Sequence, residues 1–139
     1  MRSRRTHPVG GRAATARGLL ALVVAGGCAG ELENPERFAD CPPGYVEQLF
    51  TVQCGPGCHD AVDRKAELDL VSTGAGERAR AAVSTTAQCG GRAVIDASGG
   101  LLLEKVTGAT CGAQMPLGAP ALSAGDVECV RRWVEELAP

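Results

Sequence analysis

The chain reads as an all-α domain of three to five short helices joined by long loops, and three observations carry that reading. The last stretch, SAGDVECVRRWVEEL (123–137), repeats apolar residues at helical spacing behind a capping signature. Two earlier stretches, 44–54 and 98–108, show the same period. Six cysteines follow position 28, all of them within 41–139, where the aromatics are Tyr45, Phe50 and Trp133. So thin a core needs staples or a buried cofactor to reach useful stability.

In order, GYVEQLFTVQC (44–54) places Tyr45, Leu49 and Val52 on one helical stripe with Phe50 beside it. Gly55, Pro56 and Gly57 then turn the chain. Residues 58–70 hold a polar piece ending in the apolar pair Leu68 and Leu70. Residues 76–87, alanine-rich and amphipathic, predict a second helix that Cys89-Gly-Gly breaks. RAVID (92–96) reads as short and extended. SGGLLLEKVTG (98–108) reads as a helix capped by Ser98, with Leu101–Leu103 and Val106 inward, and 111–121 is a Gly/Pro loop. In the last helix Ser123 is the N-cap and Asp126 closes a capping box, with Asp in place of Glu or Gln. Val127, Val130, Val134 and Leu137 form its apolar stripe, with Trp133 alongside.

The ends have their own logic. Residues 1–18 hold five arginines and no acid, followed by the apolar run GLLALVVAGG. A basic start, a short apolar run and small residues before a cut site describe a secretory signal over residues 1–27. The run is far below the roughly 20 residues of a membrane span. VVAGGC resembles the bacterial lipobox, which makes Cys28 the lipidated first residue of the mature chain. Residues 28–40, polar and acidic, read as a tether, and 41–139 as one domain. The expected location is the cell envelope, at the periplasmic face of a membrane, with the outer membrane favoured. After residue 30 there are 9 basic against 16 acidic residues, so the mature chain is near −7. That excludes nucleic acid, which selects basic patches.

One stretch carries candidate chemistry. CGPGCH (54–59) holds Cys54, Cys58 and His59. The covalent-haem signature is C-x-x-C-H, whose cysteines bond the haem vinyl groups and whose histidine ligates iron. Here the spacer is three residues, and Gly55 and Gly57 allow its loop to bulge. Three readings stand: a haem site with a stretched loop, a disulfide loop beside a bystander histidine, or a zinc fragment. Zinc lacks a second Cys/His pair at ligand spacing. Met115, in QMPLG, is the domain's one methionine and a candidate second axial ligand, 56 residues after His59. His59 is the sole histidine after the signal, so bis-histidine ligation is out, and spending it on iron leaves no histidine for a hydrolase triad. The acidic run Asp60, Asp63, Glu67 and Asp69 reads as a solvated face without EF-hand spacing.

The order FTVQC-x-x-x-CH, A-x-LDL, CG-x-x-MP-x-G, LS, VRRWV resembles the small cytochrome c-like domains of exported bacterial lipoproteins of myxobacterial and planctomycete type, over residues 46–137. The resemblance implies the class I cytochrome c fold, in which an N-terminal helix crosses an aromatic-bearing C-terminal helix, with Phe50 and Trp133 near the crossing. It implies one covalent haem c, with thioethers at Cys54 and Cys58, His59 as proximal and Met115 as distal iron ligand. The implied activity is single-electron transfer with a redox partner protein rather than catalysis; a peroxidase-like activity, the less favoured alternative, would need Met115 off the iron and an open site. Cys41, Cys89, Cys111 and Cys129 then remain, and four cysteines allow three pairings. The favoured one joins Cys89 to Cys111 and Cys41 to Cys129. The rival function is a haemless, disulfide-stapled envelope lipoprotein domain with a binding or structural role, in which Cys54 and Cys58 form a third disulfide.

Overall fold

The structure is a computed structural model that describes residues 39–139. The signal segment 1–27, the lipidation candidate Cys28 and most of the tether 28–40 lie outside the described residues. Four α-helices carry the fold: α1 (Tyr45–Gln53), α2 (Ala75–Ala81), α3 (Gly100–Thr107) and α4 (Ala124–Leu137). A π-type turn (Gly55–His59) and a 3₁₀ turn (Lys65–Glu67) lie between α1 and α2. Among the described residues there is no strand, only an isolated antiparallel bridge between Val83 and Ala93. No described helix is long and apolar enough to cross a membrane.

Helix α4 is the hub, packing against α1, α2 and α3. Its start is built locally. Ser123 Oγ accepts from the Asp126 amide at 3.1 Å, and Asp126 reaches back to the Ser123 amide at 3.2 Å. This satisfies two groups that a helix start otherwise leaves open. Asp126 also accepts from the Tyr45 hydroxyl, joining the starts of α1 and α4. That bond lowers the Asp126 pKa and raises the Tyr45 pKa. Val130 and Val134 are fully buried on the inner face of α4. Glu128 is buried as well, and Arg132 at 2.9 Å together with Arg131 compensates its charge.

The inner face of α1 is Val46 and Phe50, with Leu49 and Tyr45 on its flank. Val52, assigned to the stripe from its spacing, is 64% exposed. At 100° per residue it falls about 120° from Val46, beyond the buried arc. Phe50 meets Trp133 edge to face, with ring centroids 5.4 Å apart and planes at 89°. The indole Nε1 donates to Glu47 at 2.9 Å, so its polar edge is satisfied while the ring packs.

Two other expectations are corrected. The second helix stops at Ala81, not at residue 87. Ala82 turns extended and Val83 bridges Ala93, because the following Val-Ser-Thr-Thr run has poor helix propensity. Ser98 is not the cap of α3. Its amide and hydroxyl both go to Asp96, and Gly99 takes the cap position. The helix starts at Gly100, where φ is +67° and a β-carbon would lie 2.7 Å from the Val94 carbonyl oxygen. Only glycine allows that approach, and it lets the Leu101 and Leu102 amides bond the carbonyls of Ala93 and Val94.

Two disulfides staple the fold, Cys41–Cys129 and Cys89–Cys111, in the favoured pairing. The first joins the start of the domain to α4. The second joins the turn before the Val83–Ala93 bridge partner to the loop that carries Met115. Cys54 and Cys58 are free.

Candidate functional site: a cavity between the cysteine loop and the methionine loop

A cavity of about 670 Å³ lies beside α1 and α3, and Cys54, Cys58, His59 and Met115 all line it. Its volume is that of a cofactor or small-molecule site. Phe50, Leu70, Leu101 and Val106 give it apolar walls, and Lys65, Glu67 and Lys105 are its charged members. A hollow of about 360 Å³ near the start of α4 has neither cysteine nor histidine in its lining. The chemistry-bearing residues, 56 positions apart in sequence, thus meet at the first space.

The cysteine loop shows how its extra residue is taken up. In C-x-x-C-H the histidine amide lies four residues after the first cysteine, the reach of an α-turn. Here it lies five after, and the His59 amide donates to the Cys54 carbonyl at 2.9 Å in a π-type turn. Gly57 sits at φ +69°, a left-handed conformation that glycine adopts without cost, and Pro56 is extended before it. The added residue therefore bulges while the Cys54–His59 backbone bond is kept.

His59 is half-buried and its ring is oriented. Nδ1 lies 3.2 Å from the Leu68 carbonyl oxygen. A carbonyl oxygen accepts only, so Nδ1 is the donor, and in the neutral imidazole this leaves the lone pair on Nε2. This is the pattern of metal-binding histidines, whose second nitrogen is held by an outer partner. The Leu70 amide also donates to the His59 carbonyl at 2.8 Å.

Cys54 and Cys58 are not bonded to each other, so the third disulfide of the haemless reading is not formed. Burial, helped by the neighbouring Cys58, pushes the Cys54 thiol up to about 11. It stays a neutral thiol at ordinary pH, the form that oxidises slowly because the thiolate is the reactive species.

Met115 is half-buried on a loop gripped from α3. Its amide donates to the Lys105 carbonyl at 2.8 Å, and Lys105 Nζ donates to the carbonyls of Cys111 and Ala113. The Arg92–Glu104–Thr110 cluster and the Cys89–Cys111 bond hold the same loop. Lys105 was legible only as a base in the last turn of a helix, where it complements the dipole.

The acidic run is not a single solvated face. Asp63 and Glu67 are exposed. Asp60 accepts from the amides of Val62 and Asp63. Asp69 is buried and accepts from the amides of Val71 and Ser72 at 3.0 Å each. These bonds, chiefly those of Ser72, hold its carboxyl down to about 2. The signal was present in sequence, since Asp two and three residues before the amides it caps is an Asx turn. Because the folded-state pKa is lowered, the stability Asp69 contributes is complete above the ordinary carboxylate range near 4. It is lost as pH falls through about 2. Thermal melts of wild type and Asp69→Asn are therefore expected to differ most at neutral pH and to converge toward pH 2.

No protein-family model, curated protein or solved structure matches the chain. The site is defined by its own geometry: two free thiols, a histidine with Nε2 available, and a thioether, around one apolar cavity.

Proposed function

We propose that the chain is an exported, lipid-anchored, monohaem c-type cytochrome domain of class I fold that carries single electrons. The observation that carries this reading is the shared cavity, with His59 fixed by Leu68 so that Nε2 remains a ligand, and with Met115 lining the same space. The residues fit the group. The Cys54 and Cys58 thiols would each add across one vinyl double bond, sulfur to one carbon and hydrogen to the other. His59 Nε2 and Met115 sulfur would hold the iron.

When bound, the haem supplies a one-electron iron couple. The chain's residues bind and orient it: the apolar walls exclude water, and the Met115 loop, gripped by Lys105 and tied by Cys89–Cys111, holds the thioether in place. Thioether ligation raises the reduction potential. With His59 and Met115 both holding the iron, the domain would carry electrons without transforming a substrate. The N-terminal lipid at Cys28 would keep the domain at the periplasmic face of a membrane, probed by a redox partner protein.

The test is ligand replacement. Met115→Ala is expected to retain attached haem, lose the absorption band of methionine-ligated ferric haem, bind added imidazole and show a lower potential. An unchanged spectrum and potential would remove Met115 from the ligand set.

A further inference from the structure

His59 is held on both sides of one residue. The Leu68 carbonyl accepts from its ring, and the Leu70 amide donates to its backbone carbonyl. Between them stands Asp69, whose carboxylate caps the amides of Val71 and Ser72 and lies 3.7 Å from Arg78. Arg78, on α2, closes the loop from the other side. Its guanidinium donates to the carbonyls of Asp69 at 3.2 Å, Thr73 at 2.6 Å and Ser72. A planar fork with five donors suits such an array of carbonyls, and an ammonium does not reproduce it.

We infer that the Asp69–Arg78 pair is a positioning device for His59, fixing the Leu68 carbonyl so that the ring stays in one tautomer with Nε2 aimed at the cavity. Neither side chain is among those lining the cavity. Both act through Leu68 and Leu70, the residues that hold His59. The purpose of the device rests on the proposed haem ligation, whereas its geometry belongs to the chain itself.

The experiment measures solvent exchange of the His59 Nδ1 proton by NMR in the isolated full chain, in the reduced state when haem is attached. The variants are Asp69→Asn, Arg78→Ala and Arg78→Lys. Exchange at Nδ1 is expected to quicken about tenfold in each, the weight of one hydrogen bond. The buried backbone amides of Val130 and Val134 in α4, which report the global stability that Asp69→Asn also lowers, are expected to change clearly less than Nδ1. Arg78→Lys fails to rescue because it keeps the charge and loses the fork, and it decides the matter where Arg78→Ala does not fold. Unchanged Nδ1 exchange in a folded variant overturns the inference. So does a parallel rise at Nδ1 and in α4, which would mean that the pair serves global stability. A wild-type chain without haem sinks the proposed function and leaves this measurement standing, since the Leu68 bond is made without it.

Discussion

Replacing both Cys41 and Cys129 with serine is expected to lower the unfolding free energy by about 4–5 kcal/mol. The bond closes a span of 88 residues, and the denatured-state entropy it removes grows with the logarithm of that length. Cys89–Cys111 spans 22 residues, and its removal is expected to cost less, about 3 kcal/mol. A domain of this size has a total stability on the order of 5–15 kcal/mol. Loss of the longer staple thus leaves a marginal fold, with a melting temperature lower by on the order of 20 °C. Urea unfolding of the two double variants under non-reducing conditions checks the order. Equal losses, or a larger loss at Cys89–Cys111, would mean that native-state packing rather than chain entropy sets the effect.

Phe50→Ala is the second large effect, with an expected cost of about 3–5 kcal/mol. Phe50 is fully buried, packs edge to face on Trp133 and also walls the cavity. Truncation removes buried apolar area, leaves a void, and deletes a ring contact between α1 and α4. The indole keeps its bond to Glu47 at the helix surface but loses its packed partner. Denaturant unfolding followed by Trp133 fluorescence reads both consequences, a lower midpoint and a changed native signal. Phe50→Leu, which conserves more volume, is expected to cost clearly less. A loss below about 1 kcal/mol for alanine would show that the α1–α4 contact is not what holds the core together.

Local features were legible in the chain before any coordinates. The Ser123–Asp126 capping box, the Val130–Val134 stripe and the placement of Trp133 follow from spacing within one helix, and the structure has all three. The cysteine loop was legible as a candidate because its residues are adjacent. What spacing could not supply was which groups lie across space. Asp69 looked like one of four surface acids, and only its partners on the following turn and on α2 make it a buried cap. Val52 fitted the period of α1 and still faces solvent, because the buried arc is set by what packs on the helix. The overrun of α2 had a tertiary cause too, since Val83 leaves the helix to bridge Ala93. Ser98 was outcompeted as a cap by the Asp96 turn just before it.

Covalent haem at Cys54 and Cys58 is tested most directly by mass together with colour. The full chain, made in cells with haem-ligation machinery, is denatured and its intact mass and pyridine haemochrome spectrum are recorded. The expected result is a mass increased by one haem and a c-type spectrum, both surviving denaturation and both lost when Cys54 and Cys58 are replaced with serine. A folded, colourless chain of unmodified mass at these residues, with both thiols free or joined to each other, would contradict it.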